Sequence, residues 1–577
     1  MSDESREEYK LVKDKRAEMG SLFDRMDVDE ALYFMQPYKM LQLDGNKEME
    51  DVANTTMNDA LLYVQKAIAI LGGATRQTIV EGKGLSDTKT STIERFLTDI
   101  FYMVDENLPK TKIPGLDAFL NEQLGVRGRI AGRVCVRIDP ERGLIPDVLP
   151  LDTRCYTDET DGNDMVWAAP WFRKSQAQLM REFNKPGDQE IKVGSGKAEV
   201  VDFWDLEKNV AFVDGKVVRE QPNPYGYVPF VCVVCPVGST LGTDNAAKHQ
   251  GESLLWANRD LWAIKNEAAT ILRTLNVNSL FRALQYESSH GEDMLKPDKS
   301  PYKPKTVHGV EKGGGYKPIP IEDIKSATRL FYSVLESSIQ RGSLSAIDYG
   351  TLTFPLSNIA ITQLTGSRND IFAPRVNTKA WFLQAFSRML IKQCVQLDET
   401  LELGKEGSKN TYTKADLEGD YTIEYTFSVK SKEQGIADLQ EATAARGIMP
   451  DDYILREIMK VDNPTELLIQ LRAERAERID EVLFLFNSGK SLLEERKGQK
   501  PDIADKIGAK ILRNRIRTIL IQRQAMGQLS PIEGKVREET GGKKADEAAA
   551  LLTAGGGGAK GSPKEEESTE TKEVVNA

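Results

Sequence analysis

Over residues 253–275, apolar side chains recur three, four or seven positions apart: Leu254, Leu255, Leu261, Trp262, Ala268, Ala269, Leu272 and Leu275 fall on one face of a helix. At 1.5 Å per residue such a helix is roughly 35 Å long. A second helix is predicted over residues 320–342. Pro320, Glu322 and Asp323 suit its start, Ile324, Phe331, Leu335 and Ile339 lie on one side, and Arg341-Gly342 supplies the cation and glycine of a helix end. Between the two, Pro297, Pro301, Pro304, Gly309, Gly313, Gly314, Gly315 and Pro318 exclude a continuous helix, and residues 305–310 and 316–319 are expected to pair as short strands. A loop over residues 343–357 leads to a third helix. Asn358 caps it, Ile361, Leu364, Ile371 and Phe372 form its first apolar stripe, and Trp381, Phe382, Phe386, Leu390 and Ile391 continue past Pro374, which must kink or interrupt it. This order predicts a projecting helical hairpin with its own tip, the shape of a subunit in a ring around a channel. The plainer alternative is an ordinary helical hairpin with a long loop.

Upstream, residues 7–36 and 56–71 read as helices. From Gly132 the period changes to two, predicting strands over residues 133–138, 144–149, 165–172, 199–205, 210–218 and 228–234, with Asp214-Gly215 a hairpin turn. Ile423, Tyr425, Phe427 and Val429 alternate, so a further strand at residues 422–429 is expected to rejoin the earlier sheet. Residues 432–528 read as helical, and residues 531–577 lose periodicity, as in a disordered tail.

A chain of 577 residues has room for several cores. Its most apolar run, residues 228–237, is far shorter than the roughly 20 residues a membrane-spanning helix needs. The charged start, residues 1–16, lacks the apolar centre of a signal peptide, so no export is expected. Five cysteines make no disulfide framework, and Cys232 and Cys235, three apart in a strand, point to opposite faces. The three histidines, His249, His290 and His308, lack zinc-helix spacing, and neither a phosphate-binding glycine loop nor a nucleophile elbow is present. No cofactor, metal or enzymatic activity is therefore expected. With 77 Lys plus Arg against 88 Asp plus Glu, the formal net charge is −11. That sign argues against a protein that grips DNA through its phosphates and is compatible with a conduit, because six to ten phosphate contacts would change affinity by about 10³ to 10⁵ between low and moderate salt and hold a duplex still. One stretch runs against the average: Lys506, Lys510, Arg513, Arg515, Arg517 and Arg523 alternate with Ile511, Leu512, Ile516, Ile519 and Leu520.

The order helix, Pro/Gly-rich tip, returning helix, loop and long helix, preceded by Val148-Leu149-Pro150-Leu151-Asp152-Thr153-Arg154-Cys155-Tyr156 and the stretch from Trp167 to residue 179, resembles the tailed-bacteriophage portal protein, or head-to-tail connector, in its short-tailed-phage branch. The resemblance implies an α+β, mainly helical fold: a wing with a mixed β-sheet, a helical-hairpin stem, a small α/β clip and a helical crown. Residues 1–248 would form the N-terminal wing, 249–275 the first stem helix, 276–319 the clip, 320–342 the second stem helix, 343–357 the tunnel loop, 358–430 the long wing helix and returning strand, 431–530 the crown, and 531–577 the tail. It implies a ring of twelve copies at the portal vertex of a virion, assembled in the host cytoplasm, through which double-stranded DNA is packaged, retained and ejected. The terminase large subunit, which hydrolyses ATP, tail adaptor proteins, and the major capsid and scaffolding proteins would be partners; a membrane would not.

Under the same resemblance Ile347, Asp348, Tyr349, Gly350 and Phe354 belong to the tunnel loop, and Lys265, Arg273, Lys325 and Arg329 are candidates for the stem lumen. Tyr302, Lys303, Lys305, His308, Lys312 and Lys317 would offer the clip to terminase and adaptors, and Arg513, Arg515 and Arg517 would offer the crown to DNA. Ion pairing between subunits is the alternative for the stem cations, a buried turn for the loop, and a solvated helix for the crown arginines. A non-portal helical scaffold or adaptor assembling through the hairpin is the alternative for the whole chain.

Overall fold

In a computed structural model, residues 6–42, 47–50, 52–139, 143–183, 196–239, 241, 247–280, 284–287, 315–318, 325–344, 358–428, 432–494 and 503–525 are described. The chain divides into two units, Met1–Leu468 and Ile469–Ala577. The fold class is α+β and mainly helical, with 55% helix and 23% strand.

The first unit opens with α1 (Glu7–Glu18), whose acidic first turn and basic last turn complement the helix dipole, and α2 (Gly20–Tyr33). Helix α3 (Asp59–Gly72) buries Ala60, Tyr63, Val64, Ala67 and Leu71 on one face. Strand β1 (Thr75–Glu81) precedes α4 (Asp87–Asn107), which is capped by the Ser86 hydroxyl accepting from the Lys89 amide at 3.3 Å, and then α5 (Leu116–Val126). The β-rich part follows with β2 (Arg129–Asp139), β3 (Gly143–Leu151), β4 (Tyr156–Thr160), β5 (Met165–Ser175), α6 (Gln176–Phe183), β6 (Lys197–Asp205), β7 (Lys208–Val213), β8 (Lys216–Pro222) and β9 (Phe230–Val234). Next come α7 (Arg259–Leu280), β10 (Leu284–Glu287), β11 (Gly315–Pro318), α8 (Lys325–Arg341) and α9 (Asn358–Leu397). Strands β12 (Leu401–Lys405), β13 (Ser408–Tyr412) and β14 (Thr422–Ser428), then α10 (Lys432–Ala445) and the start of α11 (Pro464–Ile479), complete the unit.

The expected mixed sheet is corrected: the named strands pair antiparallel, in sheets ordered β4-β5-β6-β7-β8, β3-β2-β9, β1-β14, β10-β11 and β12-β13. Most neighbours in the five-stranded meander are joined by turns too short for a parallel crossover. The hairpin turn expected at Asp214-Gly215 forms: both residues adopt positive φ (46° and 79°), dividing residues 210–218 between β7 and β8. Strand β14 does form, but it pairs with β1, not with the sheet that begins near Gly132. Likewise β11 pairs with β10, whereas residues 305–310, the expected partner, lie outside the described residues.

The largest core joins α4, α5, the β2 sheet, α9 and β14 through Phe96, Phe101, Val134, Phe382, Phe386, Leu390 and Tyr425. Helix α9 is assigned as one helix through Pro374, so the proline does not interrupt it. Beside Pro374, Phe372 is buried in a second core and Arg375 hydrogen-bonds the Leu124 and Glu252 carbonyls, so tertiary contacts flank the turn that lacks a proline N–H. Cys232 of β9 and Cys235 just past its end are split as their spacing predicts: Cys235 belongs to the largest core, while Cys232 packs against another around Tyr156, Trp204 and Phe230, and both thiols are free.

In the second unit α12 (Glu481–Glu494) and α13 (Ile503–Ala525) pack together. The Arg523 guanidinium donates to both oxygens of Asp480 at 2.7 and 2.8 Å, tying the end of α13 to the residue before α12.

Candidate functional site

The hairpin of α7 and α8 is built from its base. Asn258 Nδ2 donates to the Ile339 carbonyl at 2.9 Å, and Lys265 Nζ stands 3.9 Å from Glu336 Oε1, so the start of α7 meets the end of α8 and the two run antiparallel. At the base Leu254, Leu255, Trp262, Leu335, Ile339 and Leu344 join α3 and Phe372 of α9 in one core. Of the expected stripe on α8, Leu335 and Ile339 are buried here, whereas Phe331 is 51% exposed, beside Leu330 and Val334 at 68% and 56%.

A segment absent from the sequence-based expectations lies along α7. The amides of Met57, Thr55 and Ala53 donate in turn to Asn266 Oδ1 (2.8 Å), Thr270 Oγ1 (3.0 Å) and Thr274 Oγ1 (3.0 Å). Four helical residues advance about 6 Å and two extended residues about 6.6 Å, so alternate amides of an extended strap meet every fourth side chain of a helix. Arg273 closes the strap by donating to the Asn54 carbonyl at 2.8 Å. The signal was present as Asn266, Thr270 and Thr274 at four-residue spacing, polar residues on a helix with no apparent need of them.

Below the strap, two arginines from two helices satisfy carbonyls of the turn that launches the hairpin, and a third, Arg127, ties the end of α5 to α2. Arg25 of α2 donates to Arg127 O (3.2 Å) and Gly251 O (3.0 Å), Arg375 of α9 donates to Glu252 O (3.2 Å), and Arg127 donates to Met26 O (2.9 Å). The buried Glu252 carboxylate receives Arg25 at 3.3 Å, Arg259, and His249 Nδ1 at 2.7 Å, while Arg259 also grips Asp29 at 2.7 and 3.0 Å. Burial opposes the ionised Glu252, yet the Arg259 hydrogen bond and the Arg25 charge carry its carboxyl below the ordinary range. Burial lowers both Arg25 and Arg375, and among the described residues Arg25 alone of the two has a carboxylate in direct reach. The chain closes here backbone to backbone: Gly128 (φ 69°) and Gly251 (φ 64°) face each other, and a Cβ on Gly128 would stand 2.2 Å from the Gly251 carbonyl oxygen.

Of the expected lumen residues, Lys265 is 4% exposed and held within its own chain, 3.2 Å from Asp59 Oδ1 and near Glu336. Arg273 is exposed and serves the strap. Lys325 and Arg329 lie in α8 and Lys317 in β11, of which the backbone alone is described at those positions. Ile347, Asp348, Tyr349, Gly350, Phe354, Tyr302, Lys303, Lys305, His308 and Lys312 lie outside the described residues. On α13, Arg513, Arg515 and Arg517 are exposed, and Arg515 stands 3.8 Å from the equally exposed Glu481, a pairing of little energetic weight. Among the described residues no helix is long and apolar enough to cross a membrane.

No protein-family model matches the chain, and no curated protein matches it in sequence. Among solved structures, it is similar to a chain in the virion of a native gene transfer agent particle, with a TM-score of 0.35 and 12% identity over 70% of this chain and 89% of that one. It is also similar to a chain in the neck of an empty gene transfer agent particle, with a TM-score of 0.34 and 12% identity over the same shares. At these TM-scores the likeness defines neither a family nor a role.

Proposed function

We propose that this chain is a virion component of a tailed bacteriophage, its portal protein: copies close into a ring whose central channel passes double-stranded DNA during packaging and ejection, with terminase and tail adaptors docking at the tip of the hairpin. The observation that carries this reading is the antiparallel α7–α8 hairpin. It is anchored at its base by buried arginines, carries a two-stranded sheet between its helices, and is followed by the 40-residue helix α9 packed in the wing core. The role is mechanical, and no catalytic step is assigned to the chain.

Head-to-tail contacts close a ring when the rotation between neighbours divides a full turn. The exposed side chains Leu330, Phe331 and Val334 of α8 would be covered there by the next copy. The loop at residues 343–357 would reach into the channel, and the arginines of α13 would meet packaged DNA. Deleting residues 345–353 is expected to spare ring formation and to impair packaging or retention of DNA; normal packaging by that variant refutes the loop's role. Reversing charge at Arg513, Arg515 and Arg517 is expected to leave assembly intact and to lower DNA retention, and unchanged retention removes the crown contact.

A further inference from the structure

Helix α11 starts in the first unit and runs on past its boundary, and its first turn is fastened to β1 and α4. The Thr78 amide donates to the Asp462 carbonyl at 3.2 Å, and Gln77 Nε2 to the Arg456 carbonyl at 3.2 Å. Arg456 pairs with Glu81 at 2.6 Å and with Asp452 at 2.7 Å, and Arg95 pairs with Glu466 at 3.1 Å. Among these polar ties the innermost is different in kind. The Thr465 hydroxyl, in the first turn of α11, donates to Glu94 Oε1 at 3.0 Å, and Glu94 is fully buried, with its Oε2 also buried and without a hydrogen-bond partner.

We propose that Glu94 is a proton-operated fastener: as the neutral acid it holds the first turn of α11 against α4 and β1, and when ionised it loosens that turn. A buried carboxylate needs donors on both oxygens or a cation in contact. Here the donor is Thr465, on one oxygen, and the charges facing Glu94 are Arg456, which attracts but is committed to Glu81 and Asp452, and Glu466, which repels. Burial is the largest influence and pushes the Glu94 carboxyl up to about 7 from its ordinary 4.5. The sign follows from linkage. The fastened state binds the proton more tightly than the loosened one, so fastening is complete below the ordinary value, declines as pH rises from 4.5, and levels off above about 7.

Amide hydrogen exchange, corrected for its intrinsic pH dependence, tests this at Thr78, Leu467 and Leu468 of the full chain between pH 5 and 8. The expected result is a loss of protection of up to about a hundred-fold over that range, because each unit of raised pKa corresponds to a tenfold bias. The near-isosteric Glu94→Gln should remove the pH dependence, and Thr465→Val should lower protection at both pH values. A pH profile retained unchanged in Glu94→Gln, or a flat profile in the unaltered protein, overturns the proposal.

Discussion

Arg25 and Glu252 are each almost wholly buried, and the pair is asymmetric: Glu252 without Arg25 keeps Arg259 and His249, whereas Arg25 without Glu252 is left a buried charge with no carboxylate in contact among the described residues. Breaking a buried pair typically costs about 3–5 kcal/mol, whereas replacing both members with apolar residues of similar volume is often close to neutral. Glu252→Ala is therefore expected to lower the stability of the first unit by about that amount, and Arg25→Met with Glu252→Met to recover part of it, as read from the midpoint of chemical unfolding followed by fluorescence. A double variant as unstable as the single one contradicts this. Gly128→Ala is predicted to be worse than either, because it demands a positive φ and drives a methyl into the Gly251 carbonyl; recovery of soluble folded chain is the measurement. None of these residues was legible beforehand. An arginine on an amphipathic helix reads as solvated, and only tertiary closure brings Arg25 and Arg375 to one turn.

At the scale of elements, the strap makes α7 a helix covered on its polar face by its own chain. Thr270→Val keeps the shape but removes the acceptor for the Thr55 amide, which should cost about 1 kcal/mol and speed exchange of that amide about fivefold. Unchanged exchange at Thr55 would show that the ladder does not hold the strap. The long periodic helices were legible in the sequence because burial on one face imposes a 3.6-residue period: α8 ends at Arg341 before Gly342, and α9 begins at Asn358, as their caps indicate. Strand existence was legible from alternation in β2, β5 and β14, but strand partners were not. The pairing of β14 with β1 joins positions more than 340 residues apart, and no local pattern encodes it. The strap itself carries no alternation, since its side chains do not form a sheet face. Lys265 makes a related point: a lysine on a helix face looks available until Asp59 and Glu336 are seen beside it.

At the scale of the whole molecule, the net charge of −11 and the exposed apolar side chains of α8 belong to one argument. In the proposed ring, a conduit wall must not hold its cargo, and the half-exposed Leu330, Phe331 and Val334 of the hairpin would be covered by a neighbouring copy. Replacing those three with serine is expected to leave the fold of the single chain unchanged by circular dichroism and to abolish higher assembly in sedimentation. Persistence of the full assembly would mean that the apolar side chains serve something else. The most direct test of the central claim is the mass of the purified protein by light scattering, taken together with images of single particles. The account predicts a closed ring of many copies around a hole wide enough for duplex DNA. A protein that stays monomeric at every concentration and ionic strength, or that forms a dimer or an elongated rod, contradicts it.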